Sequence, residues 1–228
     1  MPNHVRNVIR MEGIGKLPLY GTSEDGARYF DFNKLIPMPE SLNITAGSSE
    51  TDAICALIIR LCSGRFLPVE IKELKDRIVC KAKSAEEEQE LVEIGLQYAT
   101  NVVKYRASTW YDWCIREWGT KWNAYECEIE DDQVKFSTAW SNPEPVIKKL
   151  AEMYPESHIE HLWADEDTGN NTGFRQYDDG EWTECYDDSC SNDAYERYIE
   201  CWGESNCLYQ DDDGNWRHRN CDDCEGCK

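Results

Sequence analysis

Apolar and polar residues alternate at the start of the chain, with Val5, Asn7 and Ile9 on one side of His4 to Met11, and this predicts an opening strand. A Gly-rich turn region follows, and YFDFNKLIPMP then reads as a short apolar strand closed by Pro37 and Pro39. From Thr51 the period changes. Ile54, Leu57, Ile58 and Leu61 fall at i, i+3, i+4 and i+7, one face of a helix that Gly64 ends. Pro68 starts a second helical segment reaching Ile78. A third opens with SAEE, where Ser84 and Glu87 suit a capping box, and its apolar face is Leu91, Ile94, Tyr98 and Val102. It runs on, or restarts after a kink, through Trp110, Trp113 and Trp118 to Gly119.

Beyond Gly119 the period returns to two. WNAYECEIE and QVKFSTAW alternate on either side of an acidic turn at Asp131 and Asp132, with Val134, Phe136, Thr138 and Trp140 facing one way. Asn142 is placed to cap a helix that has Pro143 in its first turn, Val146, Ile147, Leu150 and Ala151 inward, and Pro155 as its stop. His158 to Ala164, Thr172 to Tyr177 and Glu181 to Tyr186 read as strands, and Asp179-Gly180 suits a tight type I′ turn between the last two. Asp193 and Glu196 suit the start of a final helix striped with Tyr195, Tyr198, Ile199 and Trp202. The order describes an α+β fold, a mostly helical N-terminal part joined to an antiparallel sheet with helices on one face. Trp140, Leu150, Ile199 and Trp202 are expected to share its core. The divisions expected are 1–118, 119–203 and a Cys-rich acidic tail at 204–228.

Composition adds a sharp asymmetry. Residues 1–106 hold 14 Lys/Arg against 15 Asp/Glu, whereas residues 107–228 hold 10 against 30, nearly the whole formal charge of -21. Such a half repels nucleic acid and membrane surfaces and attracts proteins with basic surfaces, of which nucleic-acid-binding proteins are the largest class. Aromatic content of 11%, with 9 Trp and 12 Tyr, speaks against disorder despite a mean hydropathy of -0.72. No apolar run suits a membrane span, and MPNHVRNVIR lacks the apolar core of a secretory signal. A reducing cytosol is the expected setting, with thiols in place of disulfides. Cys55, Cys62, Cys80, Cys114 and Cys127 then read as small hydrophobic filler.

MPNHVRNVIRMEG, FDFNKLIPMPESL and WGTKWNAYE…FSTAWSNPEPVIKKLAEMYP together resemble the YubB-like proteins of phages and conjugative plasmids. The likeness covers residues 1–12, 28–43 and 117–166, and extends less fully along the strands to 203. It implies a C-terminal ferredoxin-like domain and a mobile-element gene acting inside a bacterial host, often beside genes that blunt host defence. The Cys-rich stretch 204–228 departs from that pattern.

Three constellations carry possible chemistry. In CDDCEGC, Cys221, Cys224 and Cys227 stand at C-x2-C-x2-C, and Cys207 or His218 could complete a tetrahedral zinc site, although Asp222, Asp223 and Glu225 oppose thiolate formation. DDGEWTECYDDSC at Asp178 to Cys190 echoes DDGNWRHRNCDDC at Asp212 to Cys224, as a duplicated hairpin would. The acidic clusters are the third: Glu126 to Asp132, then Asp165, Glu166 and Asp167, then Asp178, Asp179, Glu181 and Glu184, then Asp187 and Asp188, then Asp211, Asp212 and Asp213. Carboxylates repeated along a sheet and its turns can imitate phosphate spacing and bind a basic protein. Catalytic motifs of the HExxH, G-x-S-x-G or P-loop kind do not occur.

The expected function is therefore a non-enzymatic, cytoplasmic interaction protein that inhibits a host nucleic-acid-dependent defence system through a basic protein surface. The carboxylates expected to bind that partner are those of the four clusters running from Asp165 to Asp213. A zinc-binding regulatory module centred on Cys207, Cys221, Cys224 and Cys227 is one alternative. A hydrolase using acidic clusters and a divalent ion is the other.

Overall fold

Both faces of the opening strand are apolar enough to be buried, and this sets the architecture. In the computed structural model, which describes residues 3–61, 84–178 and 181–219, β1 (His4–Arg10) is the third strand of a six-stranded sheet. Its neighbours are β5 (Gln133–Ala139) and β6 (Ile159–Asp165), each antiparallel to it. Outward from these lie β4 (Tyr125–Ile129) on one side, and β7 (Gly173–Asp178) and β8 (Glu181–Tyr186) on the other. Because β5 and β6 both oppose β1, they run parallel to each other, and α4 (Glu144–Met153) joins them in a split βαβ unit. The class is α+β, as the order of elements predicts.

The chain divides into two compact units, Met1–Pro37 with Ile115–Lys228, and Met38–Cys114. The linear boundaries expected at 118 and 203 do not follow this division, because β1 is bonded into the middle of the C-terminal sheet.

In the first unit, register assigns each side chain to a face. Ile9, Val134, His161 and Arg175 line up across four strands on one face, and Val8, Leu162 and Phe174 line up on the other. The first face is covered in part by Phe30 and Phe32, whose rings sit 5.2 and 5.9 Å from that of Phe136. Phe30 closes a short hairpin of β2 (Tyr20–Thr22) and β3 (Arg28–Phe30). The longer strand expected over YFDFNKLIPMP stops there, because Asp31 accepts from the Asn33 amide at 3.1 Å and caps a 3-10 turn.

Helix α4 lies on this same face, burying Val146, Ile147, Leu150 and Ala151. Its N-cap is Pro143; Asn142 is drawn away, its Oδ1 accepting from Arg175 Nη1 at 2.9 Å. The final helix, α5 (Asn192–Trp202), takes the opposite face, and this corrects the expectation that the two helices share one. Cys201, Tyr198 and Trp202 pack on Val8, Leu162, Ala164 and Phe174, and Trp202 Nε1 donates to Ala164 O at 3.0 Å. The reason is visible in β6, which is buried along nearly its whole length and so needs cover on both sides. Ser191, and not Asp193 or Glu196, caps this helix by accepting from the Ala194 amide at 3.1 Å.

Trp140 is also corrected. β5 ends at Ala139, and Trp140 turns outward at φ 72° with 42% of its surface exposed. With the two helices on opposite faces, Leu150 and Trp202 lie in separate cores, and Ile199 is only partly buried. Both parts of the echo fall in antiparallel strand pairs among the described residues. Trp182 pairs with Tyr177 across a ladder that closes at Asp178↔Glu181, while in β9 (Leu208–Gln210) and β10 (Trp216–His218) Trp216 pairs with Gln210. The expected turn at Asp179-Gly180 lies outside the described residues, as does everything from 220 on.

The second unit contains α1 (Ser48–Leu61) and α2 (Ala85–Tyr105). Ser84 Oγ accepts from the Glu87 amide at 3.2 Å and starts α2 as its spacing suggests. The helices pack closely where Gly95 of α2 faces the Ala53 backbone and Leu57 Cβ of α1, with Ala53, Ala56, Leu57, Gly95 and Tyr98 all buried. The apolar stripes expected for each hold in part: Leu57 and Tyr98 are buried, whereas Leu61, Ile94 and Val102 are 72%, 43% and 46% exposed. Arg106 ends α2 at φ 55°, and a new helix, α3 (Trp110–Glu117), follows. The helix expected from Pro68 to Ile78 lies outside the described residues.

Candidate functional site: an acidic cleft

The centre of the sheet opens at one end into a cleft of about 1140 Å³. Its walls come from three separated stretches: the residues after β1, the β4–β5 turn, and the approach to β6. The turn is tight, with the Glu130 amide donating to Gln133 O at 2.8 Å. The chain leaving β1 is tied to it, since the Met11 and Gly15 amides donate to Asp132 O and Asp131 O at 3.0 and 2.9 Å. Gly15 is required there: a Cβ would lie 2.0 Å from Glu130 O.

Six carboxylates line the cleft, from Glu12, Glu130, Asp131, Asp132, Glu156 and Glu160, against the cationic Arg10 and the imidazole of His158. Some are engaged. Asp132 Oδ1 accepts from the Gly13 amide at 2.7 Å, Asp131 pairs with Lys16 at 3.0 Å, and Glu160 lies 3.6 Å from Arg10 and 3.5 Å from His158. Arg10 is turned mainly to Glu200, at 2.7 Å. The Lys16–Asp131 pair is exposed and adds little to stability. The side chains of Glu12, Glu130 and Glu156 make no hydrogen bond or ion pair among the described residues. The cleft thus presents uncompensated negative charge.

The carboxylates expected to bind a partner are dispersed by the fold, and several have internal duties. Asp165 is buried and accepts from Asn3, Asn171 and the Asp167 amide at 3.2, 3.2 and 2.9 Å. Glu184 is clamped to Arg175, and Asp187 lies 3.5 Å from Arg197 with its side chain 3% exposed. Asp211 organises its turn by accepting from the amides of Asp213 and Asn215 and pairing with Arg217 at 2.8 Å. Glu166 accepts from the His4 amide at 3.1 Å. Asp167, Asp178, Glu181, Asp188, Asp212 and Asp213 are exposed, but on different elements. Asp179 lies outside the described residues. A single ladder of evenly spaced carboxylates is not formed among the described residues.

Of the expected zinc ligands, Cys207 alone is described; Cys221, Cys224 and Cys227 lie outside. Cys207 is half-buried, and His218 sits on β10 directly across from Leu208. Among the described residues no group of three or more His, Cys, Asp or Glu is arranged to hold a metal ion. The filler reading of Cys114 and Cys127 fits their setting: burial pushes the Cys114 thiol up to about 12 and raises that of Cys127.

A buried polar chain across the sheet went unnoticed in the sequence. Asn7, His161 and Arg175 occupy adjacent strands on one face, each 0% exposed. Asn7 Nδ2 donates to Thr138 Oγ1 at 2.9 Å and Asn7 Oδ1 meets His161 Nε2 at 3.0 Å. Arg175 Nη1 lies 3.3 Å from His161 Nδ1, and its guanidinium reaches Glu184 and Glu144 at 2.8 and 3.2 Å. It also lies over the rings of Trp163 and Trp182, 4.8 and 5.4 Å from their centroids. The signal was there: polar Asn7, His161 and Arg175 stand where strand alternation calls for inward residues.

Residues 117–210 match the family described as the ferredoxin-like domain in Api92-like protein. That span runs from the end of α3 to β9 and leaves out β1, although β1 is bonded between its strands. The solved structure of protein api92 from Yersinia pseudotuberculosis is similar at 10% identity and a TM-score of 0.37, covering 82% of this chain and 99% of that one. No curated protein matches. No helix among the described residues is long and apolar enough to cross a membrane.

Proposed function

We propose that this chain is a non-enzymatic acidic interaction protein of a mobile element. It inhibits a host nucleic-acid-dependent defence system by occupying the basic surface of one of that system's proteins. The observation that carries this reading is the cleft, where six carboxylates converge on one concavity. A concave, low-dielectric wall of one charge focuses the field outward, so cationic side chains are drawn in and phosphates are kept out. Nucleic acid is therefore the competitor for the partner and not a ligand of this chain. The resemblance to proteins of phages and conjugative plasmids supports the setting, and the net charge beyond residue 106 supports the polarity.

The test uses cleft carboxylates whose side chains make no hydrogen bond or ion pair among the described residues. Glu12, Glu130 and Glu156 are changed together to Lys, and Glu86, Glu88 and Glu90 serve as the control set. Binding is measured to the host protein that the wild type retains from lysate, after that protein has been purified. The cleft variant should bind about tenfold or more weakly at about 0.05 M salt, and the control should stay within about twofold. The difference should shrink towards 1 M salt, where the Debye length is about 3 Å against about 10 Å at 0.1 M. Nucleic acid should displace the chain from its partner. Equal losses in the two variants, or binding indifferent to salt, would sink the reading.

A further inference from the structure

The sheet has two edges, finished in different ways. At the first, β4 shifts register between Tyr125 and Glu128, and Glu126 takes a φ of 51°. The Phe30 amide beside it donates to Cys127 Sγ at 3.4 Å. A bulge and an adjacent strand are devices that blunt an edge against further pairing. At the second, β8 holds an unbroken register with β7 from Gly173↔Tyr186 to Asp178↔Glu181. It has no bulge, no Pro and no Lys.

The direction of its main-chain groups follows from one bond. The Asp187 amide donates to Thr172 O at 3.2 Å, so the pair just beyond the ladder is of the hydrogen-bonded kind. The two kinds alternate along an antiparallel pair. Cys185, Thr183 and Glu181 therefore bond to β7, and the N–H and C=O groups of Trp182, Glu184 and Tyr186 point away from the sheet. Among the described residues these outward groups have no hydrogen-bond partner beyond a weak Cys185 Sγ contact to Tyr186 O at 3.8 Å. They form a half-ladder that no other strand among the described residues takes up.

We infer that the β8 edge takes up an extended basic segment of the partner as a seventh strand. Charge selects the occupant. No Lys or Arg stands between Arg175 and Arg197, while the exposed Asp178, Glu181 and Asp188 line or flank the strand. A second copy of this chain would bring the same exposed carboxylates against these, and like charges set opposite each other are destabilising. A strand with Lys or Arg at alternate positions reverses the sign. Main-chain bonds then supply affinity and side chains supply selection, as in other strand-addition complexes. The edge is also continuous with the cleft: Asp178, opposite the first residue of β8, lies 3.4 Å from His158, which lines the cleft wall. The inference rests on the proposal of a basic partner and adds how that partner is gripped.

The probe is a heptapeptide of alternating Lys and Val, added to the full chain labelled with 15N. At saturation, amide exchange of Trp182, Glu184 and Tyr186 should slow about tenfold or more, with Glu181, Thr183 and Cys185 changing little. Peptides N-methylated on the odd or on the even residues present two registers, and one of them should lose binding. On the protein, Tyr186→Pro removes an outward N–H without breaking a bond to β7, and Tyr186→Ala keeps it. The proline variant should lose the peptide and the alanine variant should retain it. No protection of these amides, or binding that survives both methylated registers, overturns the inference while the charge reading stands. Equal uptake of a Glu–Val peptide overturns the choice of a basic occupant. Protection that persists unchanged in high salt supports the edge and counts against the charge-driven reading alone.

Discussion

Arg175 and Glu184 meet side-on across the β7–β8 ladder. Nε and Nη2 of the guanidinium both donate to Glu184 Oε2, at 2.9 and 2.8 Å, while the arginine itself is 0% exposed. Glu184 was expected to face a partner, and its main task is to balance a charge buried under α4. Removing one member of such a pair leaves the other enclosed without its counter-charge, which is far more costly than losing a surface contact.

Glu184→Ala should therefore destabilise the first unit by about 2–4 kcal/mol, with Glu144 and Asn142 still holding part of the guanidinium. Glu181→Ala, at the start of the same strand and exposed, should stay within about 0.5 kcal/mol of wild type. Urea unfolding of the two variants checks this. Similar losses would mean the clamp contributes nothing special.

Stability should fall on mild acidification because of His161. A guanidinium can only donate, so Nδ1 must accept from Arg175 and Nε2 must carry the proton towards Asn7 Oδ1. Burial first, and then the Arg175 charge, hold its pKa well below 6.5 and keep the ring neutral. The unfolded chain binds a proton below about pH 6.5 and the folded one does not, so stability rises with pH through that window and is lost as pH drops. The slope is at most about 1.4 kcal/mol per pH unit. Unfolding measured at about pH 7.5, 6.5 and 5.5 should show it, and His161→Gln should flatten it. A wild-type profile flat across that range speaks against a neutral buried ring.

Gly95→Ala should loosen the second unit. A Cβ there would lie 2.2 Å from Ala53 O and 2.7 Å from Ala53 C, both in the backbone of α1. Alanine favours helix by about 1 kcal/mol over glycine, but separating two helices costs about 1–3 kcal/mol, so the net should be a loss. Amide exchange should quicken in α1 and α2 and stay unchanged in β1, β5 and β6. A gain in thermal stability would show that the helices can move apart without cost.

Local period was enough to place β1, β5, β6, β7, β8 and α4, and Ser84 marked the start of α2 through a single hydrogen bond. Charge asymmetry was equally plain from composition. These features depend on residues within a turn or two of one another. Trp140 escaped such reasoning because its backbone leaves the extended region at φ 72°, where alternation no longer says which way a side chain points. The face taken by α5 escaped it because β6 is apolar on both sides and gives no preference.

The cleft belongs to tertiary structure entirely. Glu12, Glu130 and Glu156 come from three remote stretches, and what brings them together is the insertion of β1 between β5 and β6. Which segments become strands, which become helices and which half of the chain is acidic can be read along the residues in order, because period and composition are local properties. Which strands are neighbours, which carboxylates converge and which edge stays open came only with folding, because those follow from burying all the apolar faces at once.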